Sequence, residues 1–470
     1  MKKQLNKLLY LSGAALLAAC SISRDLPVPK DAAPAIFRNA PSNDTASMAE
    51  LPWKTFFAQQ QLRQLIDSAI ARNYDMQLAL KNIEKAALLN TQRKWNNIPQ
   101  IGLDIKASSS NPSDNSLSGQ TTRSFLGAGH LEDYSATLSL SWEADIWGKI
   151  RNQNRAQAAE YLKTKEARSA LQTSIVAQVA SSYYTLLMLD EQLVIANQNL
   201  ERTGSTLKVI QLQYQAGQVS LLALQQAQAQ HLYGQQLLPA ISSEIQIQEH
   251  ALSVLTGSFP GPVSRAKLEQ DNKPNDNLQI GLPAAMVSRR ADVREKEAGL
   301  ILANAMAGAA KARLYPSLNI SASAGLNAIQ ASDWFNMPGS LFASMAAGLS
   351  QPLLQHKKMQ TGYKTSLIER EKSVLEFRKT VLTAVTEVSN ALVNLEQKNK
   401  ESLLLSQRVD TLKKATANAK MLFESGSASY LEVLSAQGHV LEAELELSAI
   451  ENGKRRALSE LYRSLGGGWK

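Results

Sequence analysis

The sequence predicts a mixed α/β membrane protein built from an internal two-fold repeat. Each chain gives four strands to a transmembrane β-barrel, twelve in a trimer, and the barrel is continuous with a long α-helical barrel. Three observations predict this. Residues 213–228 (QYQAGQVSLLALQQAQ) and 422–437 (LFESGSASYLEVLSAQ) are identical at five of sixteen positions, with a constant offset of 209 from Gly217 to Gly426. Leu140-Ser141 and Leu349-Ser350 keep the same offset, so the chain reads as one unit written twice. Four segments alternate apolar and polar residues with the period of a strand, and two runs of 55 and 63 residues (149–203 and 363–425) contain neither Gly nor Pro.

The N-terminus is read first. A charged start (MKKQLNK) precedes a short apolar run (LLYLSGAALLAA). That run is too short to span a bilayer as a helix and fits a secretory signal. It ends at Leu17-Ala18-Ala19-Cys20, and Cys20 is the only cysteine. The pattern resembles a bacterial lipobox, whose thiol is diacylated and becomes residue one after cleavage. The alternative is a plain signal peptide with a Cys near the cut; the small residues before Cys20 and the lack of any other Cys favour the lipobox. Residues 1–19 are then a lipoprotein signal peptide, and Cys20 carries a diacylglycerol and an N-acyl chain; no other cofactor is expected. By family analogy, Ser21 after the Cys favours the outer membrane. Residues 20–58 form an extended lipidated segment, with Pro27, Pro29, Pro34, Pro41 and Pro52 breaking regular structure.

Repeat 1 is assigned to 59–257. A helical stripe of Leu62, Leu65, Ile66, Ala69 and Ile70 opens a helix from about 61 to 97, ended by Pro99. Strands follow at about 100–108 (Ile101, Leu103, Ile105, Ala107) and 133–143 (Tyr134, Ala136, Leu138, Leu140, Trp142), separated by a polar, Gly- and Ser-rich stretch. A long helical hairpin comes next, with Gly217 as its stop or turn. A linker over 258–284 carries Pro260, Gly261, Pro262, Pro274 and Pro283. Repeat 2, over 285–470, has strands at about 317–327 and 341–350 and a second hairpin turning at Gly426.

Each strand has about the length that a tilted strand needs to cross a bilayer, and Tyr134, Trp142, Trp147, Trp334 and Phe335 near their ends are placed like interfacial girdles. An ordinary antiparallel sheet with one wet face is the alternative. The long helices are too polar for lipid and must stand in water, packed on one another. Four strands cannot close a membrane barrel, and an open edge in lipid is not viable. Two copies would give eight strands with a side-chain-filled interior, so a pore argues for three.

Further motifs carry a family resemblance over nearly the whole chain. They are Trp53-x-x-Phe56-Phe57, Asp145-Ile146-Trp147-Gly148-Lys149, Gly281-Leu282-Pro283 with Arg289-Arg290-Ala291-Asp292-Val293-Arg294, and the closing Leu465-Gly466-Gly467-Gly468-Trp469. With the lipobox, they resemble the outer-membrane factors of tripartite efflux pumps, the TolC-like channels, and especially their lipoprotein branch typified by OprM. Family members usually have Pro where Ala291 stands. The resemblance implies a homotrimeric exit duct for multidrug efflux. Its helical tunnel would cross the periplasm to a periplasmic adaptor (membrane fusion) protein and a proton-driven inner-membrane transporter. It also implies an acidic ring at the tapered periplasmic end, here at Glu432 and Ser435, of which only Glu432 is a carboxylate. A solvated helix-surface Glu is the alternative. Some relatives latch this end with a Tyr, an Arg and an Asp, where this chain has Phe423, Ala428 and Ala223; no substitute is legible. Gly217 and Gly426 would present bare backbone to the adaptor, or serve only a positive φ.

Other classes find less support. The five histidines (130, 231, 250, 356 and 439) are scattered, and there is no HExxH, Cys pair, phosphate loop or nucleophile elbow, so no enzyme is expected. The formal charge of +9 comes without a basic run interleaved with aromatics, which argues against nucleic acid. The ten Met residues do not pair, so copper or silver specificity is not indicated. A lipid-anchored scaffold or adhesin would explain the helices but not four symmetric strands.

Overall fold

The computed structural model describes residues 25–29, 33–34, 36–38, 47–127, 129–266 and 281–469. Cys20 and its lipobox lie outside the described residues, as does most of the linker. After a 3₁₀ turn (Met48–Glu50), the helices are α1 (Trp53–Phe56), α2 (Gln60–Arg72) and α3 (Tyr74–Trp95). Then come β1 (Gln100–Ser110), α4 (Leu117–Leu126), β2 (Leu131–Ala144), α5 (Lys149–Gln215) and α6 (Leu221–Leu255). The second half holds α7 (Pro283–Arg289), α8 (Ala291–Ala312), β3 (Ser317–Ala328), β4 (Leu341–Ser350), α9 (Lys358–Glu424) and α10 (Tyr430–Ser464).

The structure differs from the sequence reading in four places. The segment 20–58, read as extended, holds the 3₁₀ turn at Met48–Glu50, capped by Ser47, and α1 at Trp53–Phe56, which follows Pro52. The helix expected over 61–97 is two helices, broken at Asn73. The Asn73 side-chain carbonyl accepts from the N–H groups of Asp75 (2.9 Å) and Met76 (3.2 Å), while its amide donates to the Leu255 carbonyl (3.0 Å). One side chain thus starts α3 and closes α6, satisfying orphan groups at two helix ends. The polar stretch between β1 and β2 contains α4, capped by Ser116, whose Oγ accepts from Gly119 N–H at 3.1 Å, and closed by Gly127 at φ +64°. α7 begins inside the expected linker, with Pro283 in its first turn, where a missing N–H costs nothing.

The helix boundaries sharpen the repeat. α5 and α9 are each 67 residues long, α6 and α10 each 35, and all four pairs of ends keep the offset of 209. α3 and α8, of 22 residues each, are instead 217 apart. The difference falls between the paired strands, where the first half has residues 111–130 with α4 and the second only 329–340.

The chain divides into two compact units. One holds the described residues within 25–28, 85–162 and 298–375, and with them the sheet. The sheet is antiparallel in the order β1-β2-β3-β4. Its register aligns Leu103, Leu138, Ala324 and Ala343 in one row, and Gly102, Ser139, Ser323 and Ser344 in the next. One face is therefore apolar on all four strands; the other is mainly polar, with Asp104, Lys106, Ser139, Ser323 and Ser344, and Phe342 as an exception. The apolar face is uncovered: Leu103 is 66% exposed and Met345 79%. Among the described residues nothing pairs the outer edges of β1 and β4. Such a sheet is not stable alone in water. At one end Tyr134, Trp334 and Phe335 pack in sequence as tilted rings (centroids 5.6 and 5.0 Å apart). At the other, Trp147 stacks on Tyr315 (5.0 Å) and donates to the Pro316 carbonyl (2.7 Å), and Trp142 donates to the Asn97 carbonyl (3.1 Å). Tyr134 and Trp142 are about 27 Å apart along the strand, or roughly 20 Å once tilted, comparable to an outer-membrane apolar band.

The Asp145–Lys149 motif is the joint from β2 to α5. Both Asp145 oxygens accept helix N–H groups, from Ile150 and Arg151, at 2.8 Å. Gly148 takes φ +72°, and Lys149 pairs with Glu143 at 2.7 Å. At the repeat-equivalent joint the left-handed position is Lys357 (φ +61°), preceded by His356 (φ +50°), neither of them glycine.

The second unit holds the described residues within 29–84, 163–297 and 376–469. Here the Arg289–Arg294 motif is a structural knot. The Arg290 side chain, 5% exposed, forks onto Asp292 (2.9 and 2.6 Å) and also donates to Glu387 (2.8 Å) and to the Ser464 carbonyl (2.9 Å). Arg294 pairs with Glu166 at 2.7 Å and lies 4.5 Å from the Trp469 ring centre. Burial alone would raise the Asp292 carboxyl, but the bonds and charge of Arg290 outweigh it and hold it below the ordinary value. The closing glycines let the C-terminus wrap this knot: Gly466 has φ +94°, and a Cβ on Gly467 would sit 2.4 Å from the Tyr462 ring. Tyr462 stacks on Phe56 (3.9 Å) and donates to the Leu51 carbonyl (2.7 Å); burial pushes its phenol up to about 12.

Candidate functional site

The expected gate and docking residues lie where the two hairpins turn. Gly217 and Gly426 close α5 and α9 in the same way. At Gly217 (φ +72°) the glycine N–H reaches Tyr214 O and the next N–H reaches Gln213 O, at 2.9 and 2.8 Å. At Gly426 (φ +74°) the partners are Phe423 O and Leu422 O, at 3.0 and 2.8 Å. This two-bond, left-handed closure satisfies the last carbonyls of each helix. Within this chain nothing lies within 4 Å of a Cβ built at either glycine, so φ alone requires the residue type. Ser220 then caps α6, its Oγ accepting from Ala223 N–H at 3.2 Å, whereas Ser429 makes no such bond at the start of α10.

Glu432 sits in the first turn of α10, where a carboxylate faces the positive end of the helix dipole. Ser435 follows one turn later on the same side, and both are exposed. Their repeat counterpart behaves differently. Ala223, 209 positions before Glu432, is fully buried with Ile210, Ala227 and Leu434 in the core of the hairpin ends. The exposed faces of α6 and α10 are thus not equivalent here, and Ala223 is a packing residue rather than an emptied gate position.

Sequence reading found no replacement for the Tyr/Arg/Asp latch. The structure brings together polar ties between the hairpins that no motif announced. Tyr430 Oη donates to the Gln226 side-chain carbonyl, and Gln437 donates to Thr206 Oγ1 at 3.0 Å. Further along, Glu444, only 8% exposed, accepts from Arg202 on α5 (3.3 Å) and pairs with Lys413 on α9 (2.9 Å). One buried carboxylate therefore holds three long helices together. Its only sequence signal was a Glu on the apolar side of α10, recognisable once the hairpin partners are known. Among the described residues no three His, Cys, Asp or Glu side chains gather as a metal site would require.

Four bilayer-length strands with a bare apolar face, joined to long paired helices, define one stave of a membrane channel. The chain belongs to the outer membrane efflux protein family, which it matches over residues 65–258 and 282–467. It is similar to the cation efflux system protein CusC of Escherichia coli O6:H1, at 26% identity over 470 residues, covering 99% of both chains. It is also similar to the pyoverdine export outer membrane protein OpmQ of Pseudomonas aeruginosa, at 29% identity over 477 residues, covering 99% of this chain and 98% of that one. A crystal structure of CusC superposes with a TM-score of 0.84 at 25% identity, covering 96% of this chain and 100% of that one. The protein is an outer-membrane efflux channel.

Proposed function

We propose that this chain forms the exit duct of a tripartite multidrug efflux system as a homotrimer, anchored by an acylated Cys20. The observation that carries the reading is the sheet itself, apolar on one face and open at both edges. Joining β4 of one copy to β1 of the next satisfies every edge, and three copies enclose a pore where two would fill it. The same symmetry sets six hairpins around one axis. Three Glu432 carboxylates near that axis, each with Ser435 one turn away, repel one another and draw cations. The turns at Gly217 and Gly426 are the surface for a periplasmic adaptor, which connects the duct to a proton-driven inner-membrane transporter. The two relatives above are named for cations and for pyoverdine, cargoes of unlike chemistry. This supports a duct whose cargo is chosen by its pump. Purified full-length protein is expected to run as a heat-sensitive trimer on gels and to give discrete conductances in planar lipid bilayers. A monomer without conductance would overturn the proposal in favour of a lipid-anchored scaffold.

A further inference from the structure

We infer that Asn304 is a positioning residue for the lipid anchor, clamping the leader at a fixed height beside the membrane; this rests on the acylation of Cys20 proposed above. Asn304 lies within α8 and is 6% exposed. An amide buried in a helix face is costly unless both its ends are bonded. Both are bonded here, and to a single residue of the leader. Leu26 N–H donates to Asn304 Oδ1 at 3.1 Å, and Asn304 Nδ2 donates to the Leu26 carbonyl at 3.0 Å. This is the pairing a neighbouring strand would offer, supplied by one side chain. Next to it, Asp25 pairs with Arg155 of α5 at 2.8 Å.

The repeat shows what the amide is for. The front-half offset of 217 places Ala87 of α3 opposite Asn304 of α8. A chain has two such helices but one leader, and only one helix carries the amide.

Height follows from chain length. Asn304 is eight residues before the end of α8 at Ala312, about 12 Å along the axis, and Arg155 is six residues after the start of α5, about 9 Å. Both ties therefore sit about two turns from where the helices meet the strands, the level of the Trp147–Tyr315 stack. Cys20 is five residues before Asp25, a span of at most about 18 Å. The acylated residue can thus reach the membrane at the strand ends but cannot stray far from them. The clamp makes the acyl chains and the strands enter the same leaflet at a set spacing.

The test uses the full acylated protein in liposomes, with Pro27→Cys as its single free thiol for a nitroxide. Pro27 is exposed and next to the clamp. With Asn304 present, the label is expected to be immobilised, with a fixed ratio of accessibility to membrane-dissolved oxygen over a water-borne nickel chelate. Asn304→Ala is expected to narrow the spectrum, to shift that ratio at least threefold, and to speed exchange of the Leu26 amide at least tenfold. Asn304→Asp, which keeps the acceptor alone, should fall between. The trimer seen on unheated gels should be unchanged in both, as should exchange within α3. An unchanged spectrum and unchanged Leu26 exchange would overturn the inference. If intact mass shows Cys20 without acyl chains, the anchor reading fails instead, whatever the nitroxide reports.

Discussion

Replacing Glu444 with Gln should loosen the tie between the two hairpins. The carboxylate is almost buried and bonds Arg202 at 3.3 Å and Lys413 at 2.9 Å. At such distances each pair is worth about 5 kcal/mol at an effective dielectric of roughly 20, before desolvation is counted. The cations are 36% and 52% exposed, so solvent returns much of that. Exposed pairs are worth about 0–1 kcal/mol and hydrogen bonds to charged groups about 1.5–3. The Arg202 bond, which alone crosses between the hairpins, then contributes a net of about 1 kcal/mol. Glu444 is 14 residues into α10, about 20 Å from the turn. Parting the two hairpins moves α10, together with its own arm α9, away from α5, so the Arg202 bond breaks while the Lys413 bond, internal to the second hairpin, stays. Gln keeps the shape and loses the charge, so the open-to-closed ratio should rise about fivefold. Open probability in planar bilayers reads this directly, and entry of a large hydrophilic antibiotic into cells expressing the variant reads it in vivo. Unchanged open probability with normal assembly would refute the reasoning and leave Glu444 as a packing residue.

Four further outcomes are expected. Glu432→Gln should lower cation preference and divalent block, read as a reversal-potential shift under a salt gradient; identical selectivity would remove Glu432 from the pore. Lys357→Gly should stabilise the protein by about 0.5–1 kcal/mol, seen as a higher thermal midpoint, because Gly relieves a left-handed residue while adding unfolded-chain entropy. Asn73→Ala should cost about 1–2 kcal/mol in the same assay, through the lost cap. For Asp292, the folded-state carboxyl is held below its ordinary value. Its contribution is therefore complete above roughly pH 4 and is lost as the pH falls through the folded-state value. The midpoint difference between wild type and Asp292→Asn should shrink from pH 7 to pH 3.

The regular parts of this fold were legible because their periods are simple. Alternation over residues 100–110 and 317–328 gave strands, and the Gly- and Pro-free runs gave the long helices. What was missed had no period to show. α4 is a ten-residue helix, half of it Ser, Thr and Gly, held by its Ser116 cap rather than by a buried apolar stripe. The break at Asn73 interrupts a continuous apolar pattern and depends on the Leu255 carbonyl, 182 positions away. The candidate site was legible in its turns, since Gly217 and Gly426 stand in matching sequences. It was not legible in its ties, since Gln226, Thr206 and Glu444 are ordinary helix-surface residues until the hairpins meet.

The two offsets separate what the repeat must share from what it need not. Tunnel helices wall one continuous surface, so an insertion in either copy would put its ends out of step, and all four keep 209. The connection between paired strands bears no such constraint, and there the first copy carries α4 while the second is shorter. Single residues obey the same division. A positive φ is demanded twice at the hairpin turns, and glycine appears twice. One leader is held per chain, and one helix has the amide while its twin has Ala87. The exposed carboxylate of Glu432 and the buried methyl of Ala223 are a third such pair. Because Ala223 packs in the hairpin core, the trimer proposed above has three such charges, with three repelling pairs between them. Within each chain the two hairpins are tied by neutral hydrogen bonds at Tyr430 and Gln437 and by the Arg202–Glu444 ion pair, where no Tyr/Arg/Asp latch stands in the sequence.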